Sequence, residues 1–418
     1  MIGTKIREIR EAKGISQYAV ARILKISPAT MSRIENNFKI PDADLLKRIR
    51  SVLGVSLLPL TDEEIADFPN EVLKLNSFVK TNSINEADAK CLEIGNALEF
   101  FDDNESAVFY EIFKARLFRQ KGDFKEAKRI LDSLSEQEYS FTSKQRYHYY
   151  CTYGAYHMGL AQYISALKCF IKVENADEAL NTSDESTYYN MAVCFNAIDF
   201  VGKASVYFAL AERKSNAQRS LEFDFNFNLS LALLYNKVGE FVRAKDLFFV
   251  CLDFVKRNAD IVKTGIVFHN LACVYSNLND YKNTIEYFTK AEQCFKPDSG
   301  YFLVNLLYKS YFLLSLGRKH EVTELVNTGM KVAGDDSDIF VLFKSVKCSL
   351  NLKDFESIDY IENTTIPHLL EHGSFLKAIE YCDLLGSYYQ KKKNLVMAVK
   401  FKDLSIRYNE KIMRGDLE

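Results

Sequence analysis

The sequence predicts an all-α protein in which a small N-terminal domain precedes a long solenoid of helix pairs. Three observations carry this prediction. Only 6 of the 418 residues are proline, apolar residues recur at helical spacing, and a similar stretch returns about every 39 residues. Because 48 % of the residues are apolar and 26 % are charged, the chain can bury a large core and keep a charged surface.

The first predicted helix carries Ile6, Ile9 and Ala12 at helical spacing, which places them on one apolar stripe. Gly14 follows this stripe, and glycine commonly ends helices because it tolerates a left-handed backbone. We therefore expect the first helix to end just before Gly14.

The second and third helices are predicted from their first residues. Ser16 is placed to cap the second helix, which continues to Leu24. Ser27 is the next cap, and Pro28 occupies a first helical position, where its missing N–H is not needed. The third helix then extends to about Asn36.

Two more helices, residues 42–52 and a short one after Gly54, complete a five-helix domain. Residues 1–55 contain 11 Lys and Arg against 5 Asp and Glu, whereas the whole chain has a net charge of −2. A locally basic surface of this kind is typical of domains that bind nucleic-acid phosphates.

The spacing of several residues in this domain resembles the lambda-repressor (XRE, Cro/C1-type) helix-turn-helix family. These residues are Arg10, Gly14, Ser16, Gln17, Ala21, Ile26, Ser27, Ile34 and Glu35. The resemblance implies that the third helix enters the major groove of double-stranded operator DNA. It also implies an ion pair between Arg10 and Glu35 that stabilises the domain without touching DNA. The residues that it places at the DNA are Gln17, Ser27, Ala29, Thr30, Ser32, Arg33 and Lys39. The alternative is a helical domain used for contact with another protein.

Residues 58–70 are predicted to link the DNA-binding domain, residues 1–57, to a repeat region formed by residues 71–418. Thr61 and Glu64 have the spacing of a capping box, so a short helix is expected within the linker. The alternative is that this stretch packs as a sixth helix of the first domain.

The repeat region shows a recurring pattern of helix, turn, aromatic residue and small residue, as in Gly122, Phe124 and Ala127. The turn positions are residues 122, 161, 199, 239, 279, 317, 353 and 393. With one degenerate pair before them, they predict about nine helix pairs.

These pairs resemble tetratricopeptide repeats, in which small residues let helices approach and aromatic residues fill the space to the next helix. The small residues are Ala115, Gly154, Ala192, Ala232, Ala272 and Gly386. The aromatic residues three places on are Phe118, Phe195, Tyr235, Tyr275 and Tyr389. The resemblance implies a right-handed superhelical solenoid whose concave surface binds extended peptides or partner helices.

A helix-turn-helix domain joined to about nine such repeats is similar to the RRNPP peptide-pheromone receptors, and its length is most similar to the NprR-type branch. The resemblance implies a cytoplasmic quorum-sensing transcription regulator, at least a homodimer, whose repeats bind a short signalling peptide. The peptide is expected to switch conformation or oligomer state. The alternative is a Rap-like interaction protein that binds and inhibits a phosphorelay response regulator.

Asparagine suits a peptide-binding surface because its side chain both donates to and accepts from a peptide backbone. In the similar family, asparagines of the inner helices hold the peptide. The corresponding candidates are Tyr189, Asn190, Asn196, Asn226, Asn228, Asn236, His269, Asn270, Asn305 and Tyr308. The alternative for each asparagine is a helix-terminal or solvated position.

No pattern predicts an enzyme or a bound cofactor, since glycine-rich phosphate loops and nucleophile elbows are absent from the sequence. His368 and His372 have metal-ligand spacing, but no third ligand is evident, and we interpret them as surface or core histidines. The nine cysteines are scattered without a Cys-x-x-Cys pair, which is typical of reduced cysteines in a cytoplasmic protein.

Near the C-terminus, Tyr388, Tyr389, Val396 and Phe401 are expected to supply apolar surface for a dimer. The alternative is that they only cap the last repeat.

Overall fold

The computed structural model describes residues 2–54, 62–98, 103–180, 185–215, 220–335 and 337–415, except for the side chains of residues 2, 43, 62–66 and 174–180. The N-terminal helices are α1 (Ile2–Ala12), α2 (Gln17–Leu24), α3 (Pro28–Glu35) and α4 (Ala43–Leu53). The predicted fifth helix after Gly54 and residues 58–61 of the predicted linker lie outside the described residues.

The predicted caps of the N-terminal domain are confirmed. The Ser16 and Ser27 hydroxyls accept hydrogen bonds from the backbone N–H groups of Ala19 and Thr30, at 3.1 and 3.0 Å. Each bond satisfies a first-turn donor that the helix itself leaves unpaired. Gly14 has a φ of 66°, the left-handed conformation that ends α1.

The repeat region is built of helix pairs throughout its described residues, and the expected nine are found there. The pairs are α5 (Asp62–Lys80) with α6 (Ile84–Leu98), α7 (Asn104–Gln120) with α8 (Phe124–Ser135), α9 (Ser143–Gly159) with α10 (Tyr163–Leu180), α11 (Glu185–Ala197) with α12 (Val201–Arg213), α13 (Leu221–Lys237) with α14 (Phe241–Asn258), α15 (Ile261–Asn277) with α16 (Tyr281–Cys294), α17 (Gly300–Ser315) with α18 (Lys319–Ala333), α19 (Asp338–Leu350) with α20 (Phe355–Tyr360) and α21 (Ile366–Glu371), and α22 (Phe375–Lys391) with α23 (Leu395–Arg414). Residues 62–70 of the predicted linker belong to α5, which continues through Pro69 to Lys80.

The turns within these pairs explain why the repeat is visible in the sequence. Seven of the eight predicted turn positions have a positive φ: Gly122, Ala161, Asp199, Gly239, Asn279, Gly317 and Lys393. Such a residue ends one helix and redirects the chain into its partner. Lys353 is the exception, and the pair that it belongs to is also irregular. Its second helix is interrupted between α20 and α21 by a π-helical stretch, Ile361–Thr365.

Close packing follows from the small residues. Ala115, Ala192, Ala232 and Ala272 are completely buried. At Gly154, an added Cβ would lie 2.7 Å from the Phe170 ring, so only glycine lets these helices meet at this distance.

The chain forms two compact units, residues 1–160 with 169–181 and residues 161–168 with 182–418. Within the second unit, residues far apart in sequence are in contact. The rings of Phe200 and Phe375 stack with centroids 5.6 Å apart. At Gly373, an added Cβ would lie 2.5 Å from Ile198. The turn before α12 therefore packs directly against the start of α22.

The C-terminal helices correct one prediction. Phe401 is only 1 % exposed and stacks on Tyr389 with ring centroids 5.8 Å apart, so the expectation that it supplies surface for a dimer is wrong. Its position in α23 points it into the core formed with α22. Val396, by contrast, is 81 % exposed.

Across the parts of the chain that the structure describes, no helix combines the length and the apolar composition that a bilayer crossing would need.

Candidate functional site

The predicted ion pair links α1 to α3 in the N-terminal domain. Arg10 Nε and one of its terminal nitrogens donate to the two carboxylate oxygens of Glu35, at 2.6 and 2.9 Å. A third nitrogen donates to the carbonyl of Ile15 at 2.9 Å. The hydrogen bond to Glu35 raises the pKa of Arg10, and both side chains are buried. Because the pair ties α1 to α3 inside the core, it acts on stability, as the sequence indicated.

The predicted DNA-facing residues of α3 lie at the surface. Ala29, Arg33 and Lys39 are exposed, while Thr30 and Ser32 are half-buried. Met31 and Ile34, on the opposite side of the helix, are completely buried. The 3.6-residue period thus leaves a small polar face with one arginine available to solvent.

Gln17, the predicted DNA contact of α2, has a second partner. Its side-chain amide donates to Glu35 at 2.7 Å, which ties the start of α2 to the buried ion pair. Tyr18 and Arg22 were not selected from the sequence, yet they are exposed and four residues apart on one face of α2.

The predicted peptide-binding residues connect successive first helices of the repeats. The Tyr189 hydroxyl of α11 donates to the carbonyl of Asn226 on α13 at 3.2 Å. On α13, Asn236 accepts a hydrogen bond of 2.9 Å from Asn277 of α15. These contacts repeat at a spacing close to one repeat, so the residues form a polar row along α11, α13 and α15.

The row continues onto α17 through His269. Its Nδ1 lies 3.0 Å from the amide oxygen of Asn305, and its ring meets the ring of Tyr308 edge-on at 5.1 Å. Asn305 is completely buried and also donates to the carbonyl of Phe288 at 3.1 Å. It therefore positions His269 and is not open to a ligand in this arrangement.

Tyr308 and His269 lie in ring contact in the second unit. Tyr308 is 47 % exposed, yet protein atoms surround it closely enough that burial raises its pKa to about 12. Burial also lowers the pKa of His269, because its charged form would lose solvation. The Tyr311 ring lies close by on α17, with the Lys377 ammonium of α22 3.7 Å from its centroid.

Among the predicted peptide-binding residues, Asn196 is distinguished by a buried side-chain oxygen without a partner in the described part of the chain. It is 6 % exposed, and its amide oxygen has no hydrogen-bond partner among the described residues. A buried, unpaired amide oxygen costs free energy unless a donor reaches it. The sequence indicated Asn196 only through its position in the repeat.

Asp199, beside it, was predicted only as a turn residue. Its carboxylate is buried, lies 2.6 Å from the Lys237 ammonium and accepts a hydrogen bond of 3.0 Å from the backbone N–H of Leu376. No sequence signal pointed to this role, because Leu376 belongs to a distant repeat.

The other predicted residues are less clearly joined to the row. Asn270 donates to the carbonyl of Ile266 on its own helix at 2.9 Å. Asn228 faces a separate cavity of about 350 Å³ between α13 and α14, together with Arg257. Asn190 is half-buried on α11.

Sequence comparisons agree with this architecture. The helix-turn-helix family matches residues 6–60, and a tetratricopeptide repeat family matches residues 267–293. The chain is 20 % identical over 403 residues to the "Transcriptional activator NprA" of Geobacillus stearothermophilus, which covers 92 % of this chain and 97 % of that protein.

Solved structures share the fold, and two of them bear directly on the repeat region. One is NprR in complex with its cognate peptide NprX, with a TM-score of 0.72 and 16 % identity over 82 % of this chain and 99 % of that one. The other is a Rap protein complexed with Competence and Sporulation Factor, with a TM-score of 0.68 and 15 % identity over 84 % and 99 % of the two chains. Together these findings confirm the resemblance to helix-turn-helix regulators of the RRNPP type, including the NprR-type architecture.

Proposed function

We propose that this chain, similar over nearly its whole length to a transcriptional activator, is a cytoplasmic quorum-sensing regulator that binds operator DNA and a short signalling peptide. The N-terminal domain binds the duplex, and the polar row on α11, α13, α15 and α17 binds the peptide. The peptide then changes the conformation or the oligomer state of the protein and so controls DNA binding.

The observation that carries the peptide-binding part is the buried, unpaired amide oxygen of Asn196. A peptide in extended conformation presents backbone N–H groups that need acceptors, and this oxygen is an acceptor without a donor. Because the oxygen is buried in the present arrangement, a peptide reaches it only when the surrounding helices shift, which agrees with the proposed change of conformation. Asn236, His269 and Tyr308 add one polar side chain from each of the next three first helices, α13, α15 and α17, so several peptide residues are contacted in succession. The aromatic rings add apolar contact for the side chains of the peptide.

The DNA-binding part rests on the exposed face of α3 and on charge. Residues 1–55 carry six more basic than acidic residues in a chain whose net charge is −2. The excess attracts phosphates, while Thr30 and Arg33 provide hydrogen-bonding groups for base edges. A homodimer presents two such domains to two half-sites of an operator.

The test uses two measurements on the full-length protein. A duplex is first selected from a random library, and its affinity is measured with and without the short peptide encoded immediately downstream of the gene. The peptide is expected to stabilise the protein thermally and to change its affinity for the duplex. Asn196→Ala should abolish both effects, whereas Asn327→Ala, at an exposed position on α18, should leave them intact.

Two results would contradict the proposal. One is a failure of the protein to select any duplex above background at moderate salt. The other is a pull-down in which the protein binds a response regulator although it binds no DNA. That result would favour the Rap-like interaction protein.

A further inference from the structure

We propose that Asp338, His368 and His372 form a binding site for a divalent transition-metal ion, of which zinc is the best match. Among the described residues, these three offer ligand atoms that all lie within 4.8 Å of one another. The sequence showed the two histidines at i and i+4, and the structure adds Asp338 from the start of α19.

The geometry of His372 indicates which of its nitrogens is free. Its Nδ1 lies 2.8 Å from the carbonyl oxygen of His368. A carbonyl oxygen only accepts, so Nδ1 carries the proton and Nε2 keeps its lone pair. That Nε2 lies 3.6 Å from a carboxylate oxygen of Asp338. Histidines that bind metals commonly donate their second nitrogen to a backbone carbonyl in this way, which fixes the ring and the tautomer.

The donor set also favours a transition metal. Two imidazole nitrogens and one carboxylate oxygen are ligands that zinc accepts at about 2.0–2.2 Å, with neighbouring ligand atoms then about 3.3 Å apart. The present separations are larger, with 3.6 Å between Asp338 and His372 and no more than 4.8 Å within the group. The Asp338 side chain is 77 % exposed, so it is free to change rotamer towards a bound ion. Calcium and magnesium prefer oxygen-only sites, so they are poor matches.

The place of the site in the fold indicates what the ion would do. Asp338 begins α19, whereas His368 and His372 lie in and just after α21, so one ion would join the two helices of the irregular repeat. This repeat lacks a left-handed residue at its predicted turn position and contains the π-helical stretch Ile361–Thr365. The residue after His372 is Gly373, which packs against Ile198. A bound ion would therefore stabilise the turn that contacts Ile198, just before α12.

Three protein ligands leave room for a fourth. Since Asp338 and His372 are both solvent-exposed, water completes the coordination of the ion in the isolated chain. The site would be structural, and this proposal does not depend on the peptide-binding role of the polar row.

The test is zinc titration of the untagged full-length protein by isothermal titration calorimetry, with cobalt(II) absorption to report tetrahedral nitrogen and oxygen coordination. The wild type should bind one ion per chain at this site, and its unfolding midpoint should rise by about 2–3 °C in excess zinc. His372→Gln and Asp338→Asn should each weaken binding by at least about 10-fold, because loss of even an outer-shell partner of a ligand costs about 10- to 100-fold. Both replaced side chains are exposed, so the variants should fold normally.

His320→Gln is the matched control. His320 Nδ1 lies 3.6 Å from Glu324 at i and i+4, an exposed pair that belongs to no three-ligand group in the described structure. This variant should bind zinc like the wild type. Equal affinities of the wild type, His372→Gln and Asp338→Asn would overturn the proposal, as would an equal loss in His320→Gln.

Discussion

Asp199 accepts a hydrogen bond from the backbone N–H of Leu376, a residue 177 positions later in the chain, at 3.0 Å. Its other carboxylate oxygen is paired with Lys237 at 2.6 Å. A residue that ends one helix as a turn thus also joins three repeats of the second unit. Its buried carboxylate is stable because both of its oxygens have donors.

Asp199→Asn should destabilise the protein by about 2 kcal/mol, because Lys237 loses its partner and Leu376 loses a charged acceptor. Guanidinium unfolding of the wild type and the variant would measure the difference. Asp253→Asn, at an exposed position on α14, is the control and should change stability little. Equal stability of Asp199→Asn and the wild type would show that the contact contributes nothing.

Arg10→Ala should unfold the N-terminal domain by removing one partner of a buried ion pair, at a cost of about 3–5 kcal/mol. Glu35 would remain buried without its main donor. A thermal melt followed by circular dichroism would detect the loss as an earlier unfolding transition of the N-terminal domain. Glu11→Gln, which affects an exposed carboxylate 3.2 Å from Arg10, should cost less than about 0.5 kcal/mol.

Arg33→Ala should weaken binding to the selected duplex without lowering stability, because Arg33 is exposed on α3. If Arg33 contacts a phosphate, the slope of log affinity against log salt should fall by about 1. Fluorescence anisotropy at several salt concentrations would measure both quantities. Lys282→Ala removes one exposed positive charge from the repeat region and should leave affinity and slope unchanged.

Gly122→Ala should destabilise the first unit by about 1–2 kcal/mol, because a residue with a Cβ is strained at its φ of 81°. No atom lies within 4 Å of the added Cβ, so the whole effect belongs to the backbone. Gly202→Ala is the matched control. A Cβ added at Gly202 also has no atom within 4 Å. Because Gly202 lies in α12 without a positive φ, alanine should be neutral or slightly stabilising there. Chemical unfolding would contradict the prediction if both variants behaved alike.

His269 should make the protein less stable in acid. Burial lowers its pKa in the folded state below the ordinary 6.5, so the unfolded chain takes up the proton first as pH falls. The stability that neutral His269 provides is therefore complete above pH 6.5 and decreases as pH falls through the folded pKa. Unfolding midpoints in metal-free buffer between neutral and mildly acidic pH should fall more steeply for the wild type than for His269→Gln. If the unfolding midpoints of the two proteins fell equally with pH, a group other than His269 would control stability in this pH range.

Local patterns in the sequence were sufficient to predict the helices, because helix formation depends on neighbours within one turn. Ser16 and Ser27 as caps, Gly14 as a helix end and the left-handed turn residues were all readable from spacing and residue type. The Arg10–Glu35 pair was readable only through family resemblance, and the structure confirmed it. The sequence indicated Tyr189, Asn236, His269 and Tyr308 of the polar row as candidates on the first helices of the repeats, and it also indicated Asn190 and Asn270, which are not clearly joined to the row. The sequence did not distinguish Asn305, which is completely buried, from residues open to a ligand.

Contacts between distant repeats could only be decided by the tertiary structure. Asp199 meets Leu376 because the packing of the helix pairs brings their ends together. Within the irregular repeat, Asp338 at the start of α19 approaches His368 and His372 near the end of α21. Small rotations between repeats accumulate along a solenoid, and no local pattern records their sum. Periodicity and capping chemistry therefore determined the helices and their pairing. The packing of the helices decided which turns touch, where an amide oxygen is left buried without a donor, and that Asp338 lies beside His368 and His372.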